Sequence, residues 1–156
     1  DLGTRSSQRV FAGNDSTLAI QGTIENVMGS GSDDSIRGNA ANNCIVGLGG
    51  NDTISGGGGR NMLIGGEGSD TLRGGAGEDI LIGGTTNYDD DYAGLADLMR
   101  VWTSARPFGK RSSDVVKKMD VLDDGVRDRL FGGAGNDWFY GLDASDDDHD
   151  RRRNDR

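Results

Sequence analysis

The chain has 156 residues with 28 glycines, 6% aromatic residues and a single cysteine, and its formal net charge at pH 7 is −9. This length allows one domain or part of one, and so few aromatic residues exclude a bulky hydrophobic core. One cysteine excludes an intrachain disulfide, the lack of an 18-residue apolar run argues against membrane insertion, and the acidic balance argues against nucleic acid or an anionic membrane surface as a partner.

Residues 1–28 are predicted to form irregular N-terminal coils. Residues 8–11 and 17–20 have strand character but lack glycine-rich turns, so these coils are expected to hold no metal. The sequence opens on Asp1 and shows no signal peptide. We therefore expect it to be the C-terminal portion of a larger protein, with possible further domains upstream.

Residues 29–84 are predicted to form the body of a solenoid, because a nine-residue phrase recurs there. The phrase is clearest in four consecutive copies, at residues 47–55, 56–64, 65–73 and 74–82. Its glycines favour a tight turn, and its last three residues form a strand with an aliphatic middle residue. At a spacing of nine these aliphatic residues are Leu18, Val27, Ile36, Ile45, Ile54, Leu63, Leu72 and Leu81. A fixed period of this kind indicates stacked units.

Two phrases are predicted to form one coil, so that each residue stacks on the residue eighteen positions later and two parallel sheets face each other across a thin core. Acidic and amide side chains then line both edges: Asp34, Asp52 and Asp70 on one, and Asn43, Asn61 and Asp79 on the other. Carboxylates stacked at the strand spacing of roughly 4.8 Å repel one another. A hard divalent cation with flexible oxygen coordination relieves that repulsion, which favours Ca2+ over Zn2+ or Mg2+.

Residues 85–122 interrupt the repeat and are predicted to form a helical insert. Apolar residues recur there at three- and four-residue steps, which predicts two helices. The first contains Tyr92, Leu95, Met99 and Trp102, and the second contains Val115, Val116, Met119 and Leu122. One predicted sheet carries six outward apolar side chains: Cys44, Val46, Met62, Ile64, Ile80 and Ile82. Because such a patch is rarely left exposed, we expect the insert to cover it, with packing favoured over a partner-binding or membrane-lytic role.

Residues 123–144 are predicted to form the final coil and a cap, because a complete phrase returns at residues 132–140. If the insert replaces one turn, Asp128 stacks on Asp70 and Asp137 stacks on Asp79. The aromatic residues at 138–140 would then close the end of the solenoid. The charged tail, residues 145–156, is predicted to be disordered.

The phrases at residues 65–73 and 74–82 read Gly-Gly-x-Gly-x-Asp-x-aliphatic-x, a pattern that resembles the calcium-binding nonapeptide of the RTX (repeats-in-toxin) family. This resemblance implies an all-β, right-handed parallel β-roll with two nonapeptides per coil, here with a small α-helical insert before the last coil. It also implies several Ca2+ ions, held between stacked turns by aspartate side chains and turn carbonyls. The phrase at residues 56–64 departs from the pattern at Asn61, whose neutral amide supplies no charge. The aspartate-lined edge is therefore expected to bind more tightly.

Transferred residue by residue, the resemblance implies a specific set of metal-binding positions. The side chains are Asp34, Asp52, Asn61, Asp70, Asp79, Asp128 and Asp137. The turn positions are Gly47, Gly49, Gly50, Gly57, Gly59, Gly65, Gly66, Glu67, Gly68, Gly74, Gly75, Ala76, Gly77, Gly132 and Ala134. The carbonyls of Gly66 and Gly68 would belong to the earlier turn of one site, and those of Gly74 and Ala76 to the later turn of another.

Calcium binding without catalysis is the leading hypothesis for function. The sequence contains no nucleophile elbow, metalloprotease helix or phosphate loop, and no helix follows the glycine-rich phrases as a dinucleotide site requires. The resemblance implies a monomeric, calcium-dependent folding module of a secreted or cell-surface bacterial protein, exported through a type I channel. Two alternatives stay open. One is a calcium-stiffened adhesive or structural surface solenoid, and the other is the C-terminal tail of a secreted enzyme or toxin with catalysis upstream.

Overall fold

A computed structural model describes residues 8–9, 16–19, 26–142, 144 and 146–149. In chain order its elements are β1 (Gln8–Arg9), β2 (Ser16–Ala19), β3 (Asn26–Met28), β4 (Asp34–Arg37), β5 (Cys44–Gly49), β6 (Thr53–Gly57), β7 (Met62–Glu67), β8 (Thr71–Ala76), β9 (Ile80–Ile82), β10 (Thr85–Thr86), α1 (Tyr92–Trp102), α2 (Phe108–Val116), β11 (Val121–Leu122), β12 (Arg129–Ala134), β13 (Trp138–Tyr140) and β14 (Asp147–His149). Within the described ranges the first sheet has the order β1-β3-β5-β7-β9-β13 and the second has the order β14-β12-β8-β6-β4-β2.

Neighbouring strands of both sheets run parallel, one coil apart. Ile36 pairs with Ile54 in the second sheet and Ile45 pairs with Leu63 in the first, a register of eighteen residues in each case. The chain therefore alternates between the sheets every nine residues and returns to the same sheet every eighteen. This arrangement confirms the all-β parallel β-roll predicted from the sequence, with two nonapeptides in each coil.

The core between the two sheets takes one apolar residue from each of the strands β3 to β9, β12 and β13. Its buried members are Val27, Ile36, Ile45, Ile54, Leu63, Leu72, Leu81, Leu130 and Phe139. Because successive side chains of a strand point to opposite faces, a three-residue strand buries one side chain in this core and turns two outward. The core is therefore a single layer of aliphatic side chains, closed at the C-terminal end by Phe139.

The outer face of the first sheet packs against the two helices. A second hydrophobic cluster contains Met28, Cys44, Val46, Met62, Ile64, Ile80 and Ile82 from the sheet and Leu95, Leu98, Met99, Trp102, Val115 and Met119 from the segment that follows. Helix α1 begins after Asp91, whose side chain accepts a hydrogen bond from the Gly94 backbone N–H at 2.9 Å. In the described ranges neither α1 nor α2 is long and apolar enough to cross a membrane.

The insert lies inside one turn of the roll and does not change the stacking around it. Leu72 pairs with Leu130, a register of 58 residues where neighbouring pairs have 18, so 40 additional residues leave and re-enter at the same turn. The antiparallel pairing of Thr85 with Leu122 joins the two ends of the insert. The assignment of Met119 and Leu122 to the second helix is therefore wrong: α2 ends at Val116, Met119 follows it, and Leu122 is 70% exposed in β11. The physical reason is that the end of the insert must return to the turn where the insert began, and there Val121 and Leu122 pair with the backbone of β10.

The predicted disorder of the charged tail is wrong for residues 147–149. These residues form β14, which pairs in parallel with β12. Pairing between backbones needs no apolar side chain, and the outer edge of β12 offers unpaired N–H and C=O groups. Residues 145 and 150–156 of the predicted tail lie outside the described residues.

Candidate metal centre

Each turn ends in an acidic or amide residue, and these residues form two continuous columns. The aspartate rim consists of Asp34, Asp52, Asp70, Asp128 and Asp146, and the mixed rim consists of Asn43, Asn61, Asp79 and Asp137. In both columns a backbone N–H donates to the side-chain Oδ1 of the equivalent residue in the next coil. The Asp70 N–H donates to Asp128 at 2.7 Å, and the Asp79 N–H donates to Asp137 at 3.0 Å. The stacking predicted across the insert is therefore present on both rims.

The second carboxylate oxygen of three rim residues is buried without a hydrogen-bond partner. These atoms are Oδ2 of Asp52, Asp70 and Asp79, whose residues are at most 1% exposed. Each lies beside the carbonyl oxygen of a glycine in the next coil. A Cβ on Gly65 would stand 2.2 Å from Asp70 Oδ2 and 2.5 Å from the Gly83 oxygen. Two hydrogen-bond acceptors therefore face each other in a space that only a glycine leaves open.

The same opposition occurs at the other two aspartates. A Cβ on Gly47 would stand 2.1 Å from Asp52 Oδ2 and 2.5 Å from the Gly65 oxygen. The corresponding distances from Gly74 are 2.4 Å to Asp79 Oδ2 and 2.6 Å to the Gly132 oxygen. Oxygens that share one calcium ion lie within about 5 Å of each other, because each Ca–O distance is about 2.3–2.6 Å. Each oxygen pair is thus close enough to share one ion.

Burial makes the charged form of these carboxyls unfavourable in the absence of a cation. It raises the pKa of Asp70 from the ordinary value of 3.8 to about 8, although a backbone hydrogen bond from Asp52 opposes part of this rise. Burial likewise raises the pKa of Asp52, Asp79 and Asp128 to about 7. A buried carboxylate without a partner is costly, so a proton or a cation must accompany each group.

The two asparagines of the mixed rim solve the same problem without a charge. Asn61 Nδ2 donates to the Gly74 carbonyl at 3.4 Å. Asn43 Nδ2 donates to the Gly56 carbonyl at 3.2 Å and to Asn61 Oδ1 at 3.0 Å. At these positions a donor, and not an acceptor, faces the glycine oxygen of the next coil.

Asp34 also differs from the other members of the aspartate rim. Its Oδ2 accepts hydrogen bonds from the Ser30 backbone N–H at 2.8 Å and from Ser30 Oγ at 3.0 Å. Serine stands here at the second position of the phrase, where the turns of Asp52 and Asp70 have Leu48 and Gly66. The oxygen that is unpartnered in Asp52 and Asp70 is therefore already satisfied in Asp34.

The predicted turn positions stack directly on one another along the roll. Gly66 has a φ of 112°, and a Cβ on it would lie 2.1 Å from the Leu48 oxygen, so only glycine allows this approach. Leu48, at the equivalent position one coil earlier, itself adopts a φ of 84°. The other predicted turn positions lie in the same columns: Gly47, Gly49, Gly50, Gly57, Gly59, Gly65, Glu67, Gly68, Gly74, Gly75, Ala76, Gly77, Gly132 and Ala134.

Across the described residues, no three histidine, cysteine, aspartate or glutamate side chains converge on a common point. A cation at the rims would therefore take most of its ligands from backbone carbonyls, with few carboxylates at each turn. Glycine-rich turns suit this arrangement, because they bring successive carbonyls into register without intervening side chains.

Two residues that contribute to the rims were missed from the sequence. Gly83 supplies the carbonyl that faces Asp70, and Asp146 accepts the hydrogen bond from the Asp128 N–H at 3.0 Å. Both were detectable from the period, since Gly83 follows Gly65 by eighteen residues and Asp146 follows Asp128 by the same interval. The interruption after Gly84 and the charge of the tail concealed them.

Comparison with known proteins gives one family. A family model described as the RTX calcium-binding nonapeptide repeat (4 copies) matches residues 22–54, 55–89 and 124–147. These segments cover more than half of the chain and include every member of both rims. Neither the curated proteins nor the solved structures gave a match.

Proposed function

Because the chain belongs to the RTX calcium-binding nonapeptide repeat family, whose repeats bind Ca2+, we propose that it is a calcium-dependent folding module whose ions lie at three places along its rims. These places lie between Asp52 and the Gly65 carbonyl, between Asp70 and the Gly83 carbonyl, and between Asp79 and the Gly132 carbonyl. The observation that carries the proposal is the buried, unpartnered Oδ2 that faces a carbonyl oxygen at each place. Turn carbonyls would complete the ligand sets.

Some of the positions expected from the sequence are not part of this proposed set. Asp34 is left out because Ser30 already satisfies its Oδ2. Asn61 is left out because its amide donates to the Gly74 carbonyl. Asp128 and Asp137 also lie outside the three places, since their Oδ1 atoms accept from the backbone N–H groups of Asp70 and Asp79 and so continue the two columns across the insert.

Bound calcium would supply the positive charge that lets these carboxylates stay ionised in the fold. At millimolar calcium, about ten times a dissociation constant of 10⁻⁴ M, each site adds about 1.4 kcal/mol to stability, so three sites add about 4 kcal/mol. That sum approaches the whole stability of a marginally stable domain, about 5 kcal/mol. Calcium at extracellular concentrations would therefore decide whether the glycine-rich chain folds.

The cellular role follows from the same considerations. A chain that is unfolded in low-calcium cytosol and folds in millimolar calcium suits a protein that is exported before folding. We propose a secreted or cell-surface location, with binding and folding rather than catalysis as the role of this segment. Membership of the repeat family supports this role.

A calcium titration of the purified chain tests the proposal. The chain is stripped with chelator and titrated with Ca2+ or Mg2+ while far-ultraviolet circular dichroism and tryptophan fluorescence are recorded. We expect β-sheet signal to appear at about 10⁻⁴–10⁻³ M Ca2+, the range of extracellular calcium modules, and little response to Mg2+. The D70A variant should require more calcium, whereas D97A, at an exposed position in α1, should behave as the wild type. Identical β-sheet spectra in chelator and in calcium would refute the proposal.

A further inference from the structure

Asn61 stands at the same place in its turn as the aspartates proposed to bind calcium. A Cβ on Gly56 would stand 2.6 Å from Asn61 Nδ2 and 2.7 Å from the Gly74 oxygen. One coil later, a Cβ on Gly74 would stand 2.4 Å from Asp79 Oδ2 and 2.6 Å from the Gly132 oxygen. The two places therefore have nearly the same geometry and differ in one side-chain atom, nitrogen in Asn61 and oxygen in Asp79.

Hydrogen bonds set the direction of Nδ2 in both amides, whereas Asn43 Oδ1 is buried without a hydrogen-bond partner. The Asn43 backbone N–H donates to Asn61 Oδ1 at 2.9 Å, which directs Asn61 Nδ2 towards the Gly74 carbonyl. Asn43 Nδ2 contacts three acceptors, the Ala41 carbonyl at 2.7 Å, the Gly56 carbonyl at 3.2 Å and Asn61 Oδ1 at 3.0 Å. In each case an amide N–H group donates to a glycine carbonyl oxygen. Opposite an aspartate, a cation would have to supply that positive charge.

We propose that Asn43 and Asn61 make their part of the mixed rim independent of calcium, with the amide NH2 group in the place of an ion. This inference rests on the proposed function, because it assumes that the equivalent places beside Asp52, Asp70 and Asp79 hold Ca2+. It divides the roll into a calcium-dependent aspartate rim and a mixed rim whose N-terminal turns are closed by hydrogen bonds. One atom of one side chain decides between the two modes.

The contacts of the neighbouring residue support this division. The Arg60 guanidinium pairs with Glu78 at 3.0 Å and donates to the Ser104 carbonyl at 3.1 Å, which ties the asparagine turn to the end of α1. The same turn is thus held by ionic and hydrogen-bond contacts that require no metal.

Single substitutions between asparagine and aspartate test the inference, because the two side chains have the same shape. Calcium per folded chain is measured by equilibrium dialysis with elemental analysis, and thermal unfolding is measured in chelator and in saturating calcium. The test variant is N61D and its reverse counterpart is D79N. The matched control is N87D, which adds the same charge at an exposed position of the insert, where a carboxylate can still accept from the Asp120 N–H.

We expect N61D to bind one more calcium ion per chain than the wild type, to unfold at a lower temperature in chelator and to gain more from calcium. D79N should bind one ion fewer and unfold at a higher temperature in chelator, because its amide then donates to the Gly132 carbonyl. N87D should keep the wild-type number of ions. An unchanged ion count in N61D, or a D79N variant that is less stable than the wild type in chelator, would overturn the inference. Wild-type protein that binds no calcium would instead refute the proposed function itself, so the two failures are distinguishable.

Discussion

Replacing Glu78 by glutamine should loosen the attachment of the helical insert to the roll. Glu78 lies in the turn before Asp79 and accepts from the Arg111 guanidinium, which is 2% exposed. Arg111 also donates to the Trp102 carbonyl at 2.9 Å and to the Arg106 carbonyl at 2.8 Å, and it lies 4.8 Å above the Trp102 ring. The E78Q change removes the only carboxylate partner that Arg111 has among the described residues, while two carbonyl acceptors remain. It also removes the charge that pairs with the more exposed Arg60 at 3.0 Å.

The size of the effect follows from these contacts. Removing one partner of a fully buried ion pair costs about 3–5 kcal/mol. Glu78 is 22% exposed and glutamine still accepts one hydrogen bond, so the loss is closer to that of a charged hydrogen bond, about 2 kcal/mol. For a chain of this length that loss lowers the unfolding temperature by about 4–8 °C.

The assay is urea and thermal unfolding in saturating calcium, followed by the fluorescence of the tryptophans, since Trp102 is fully buried between the insert and the first sheet. The control is D97N, which breaks the ion pair between Asp97 and Arg100, whose side chains are 66% and 79% exposed. An exposed pair contributes about 0–1 kcal/mol, so D97N should unfold close to the wild type. Equal unfolding midpoints for E78Q and D97N would refute the conclusion that the buried Arg111 contact anchors the insert.

Three further outcomes are expected. In calcium-free buffer, β-sheet content by circular dichroism should rise as pH falls from 8 to 5: burial holds the pKa of Asp70 at about 8 against an ordinary 3.8, so the folded state binds more protons than the unfolded chain throughout this interval. A flat or opposite pH profile would contradict that sign. The G66A variant should lose at least about 2 kcal/mol of stability, because alanine at a φ of 112° is strained and its Cβ meets the Leu48 oxygen. The G31A variant, with no atom within 4 Å of its Cβ, should stay within about 0.5 kcal/mol of the wild type. Chemical unfolding in calcium compares the two variants. In the same assay L63A should lower the free energy of unfolding by about 2–5 kcal/mol, because Leu63 is fully buried between the sheets. L122A should lower it by less than about 0.5 kcal/mol, because Leu122 is 70% exposed. Similar losses in the two variants would contradict the assigned core.

The repeating part of the fold was predictable because its period imposes the register. Once Ile36, Ile54 and Leu72 are seen at intervals of eighteen residues, a parallel pair of sheets with a single-layer core follows. The same rule predicted that Asp128 stacks on Asp70, although 57 residues separate them in the chain. A fixed period predicts which distant residues become neighbours, even when the structure of the segment between them is not predicted.

The parts that depend on particular tertiary contacts were not predictable in this way. Nothing in the local sequence indicates that Arg111 is buried against Glu78, because that contact depends on how the insert lies on the sheet. The charge of Asp147 suggested disorder, yet its backbone pairs with β12. The sequence identified Asn61 as a departure from the repeat, but the direction of its Nδ2 towards Gly74 depends on contacts between neighbouring coils.

The position of the 40-residue insert has a consequence for how such rolls diversify. Its two ends meet at the Thr85–Leu122 pair, and the strands on either side keep the alignment that they would have without it. A turn of the coil can thus accept an inserted folded segment without a shift in the register of the strands before and after it. Evolution or a protein engineer could exchange that segment for another that also covers the apolar outer face of the first sheet.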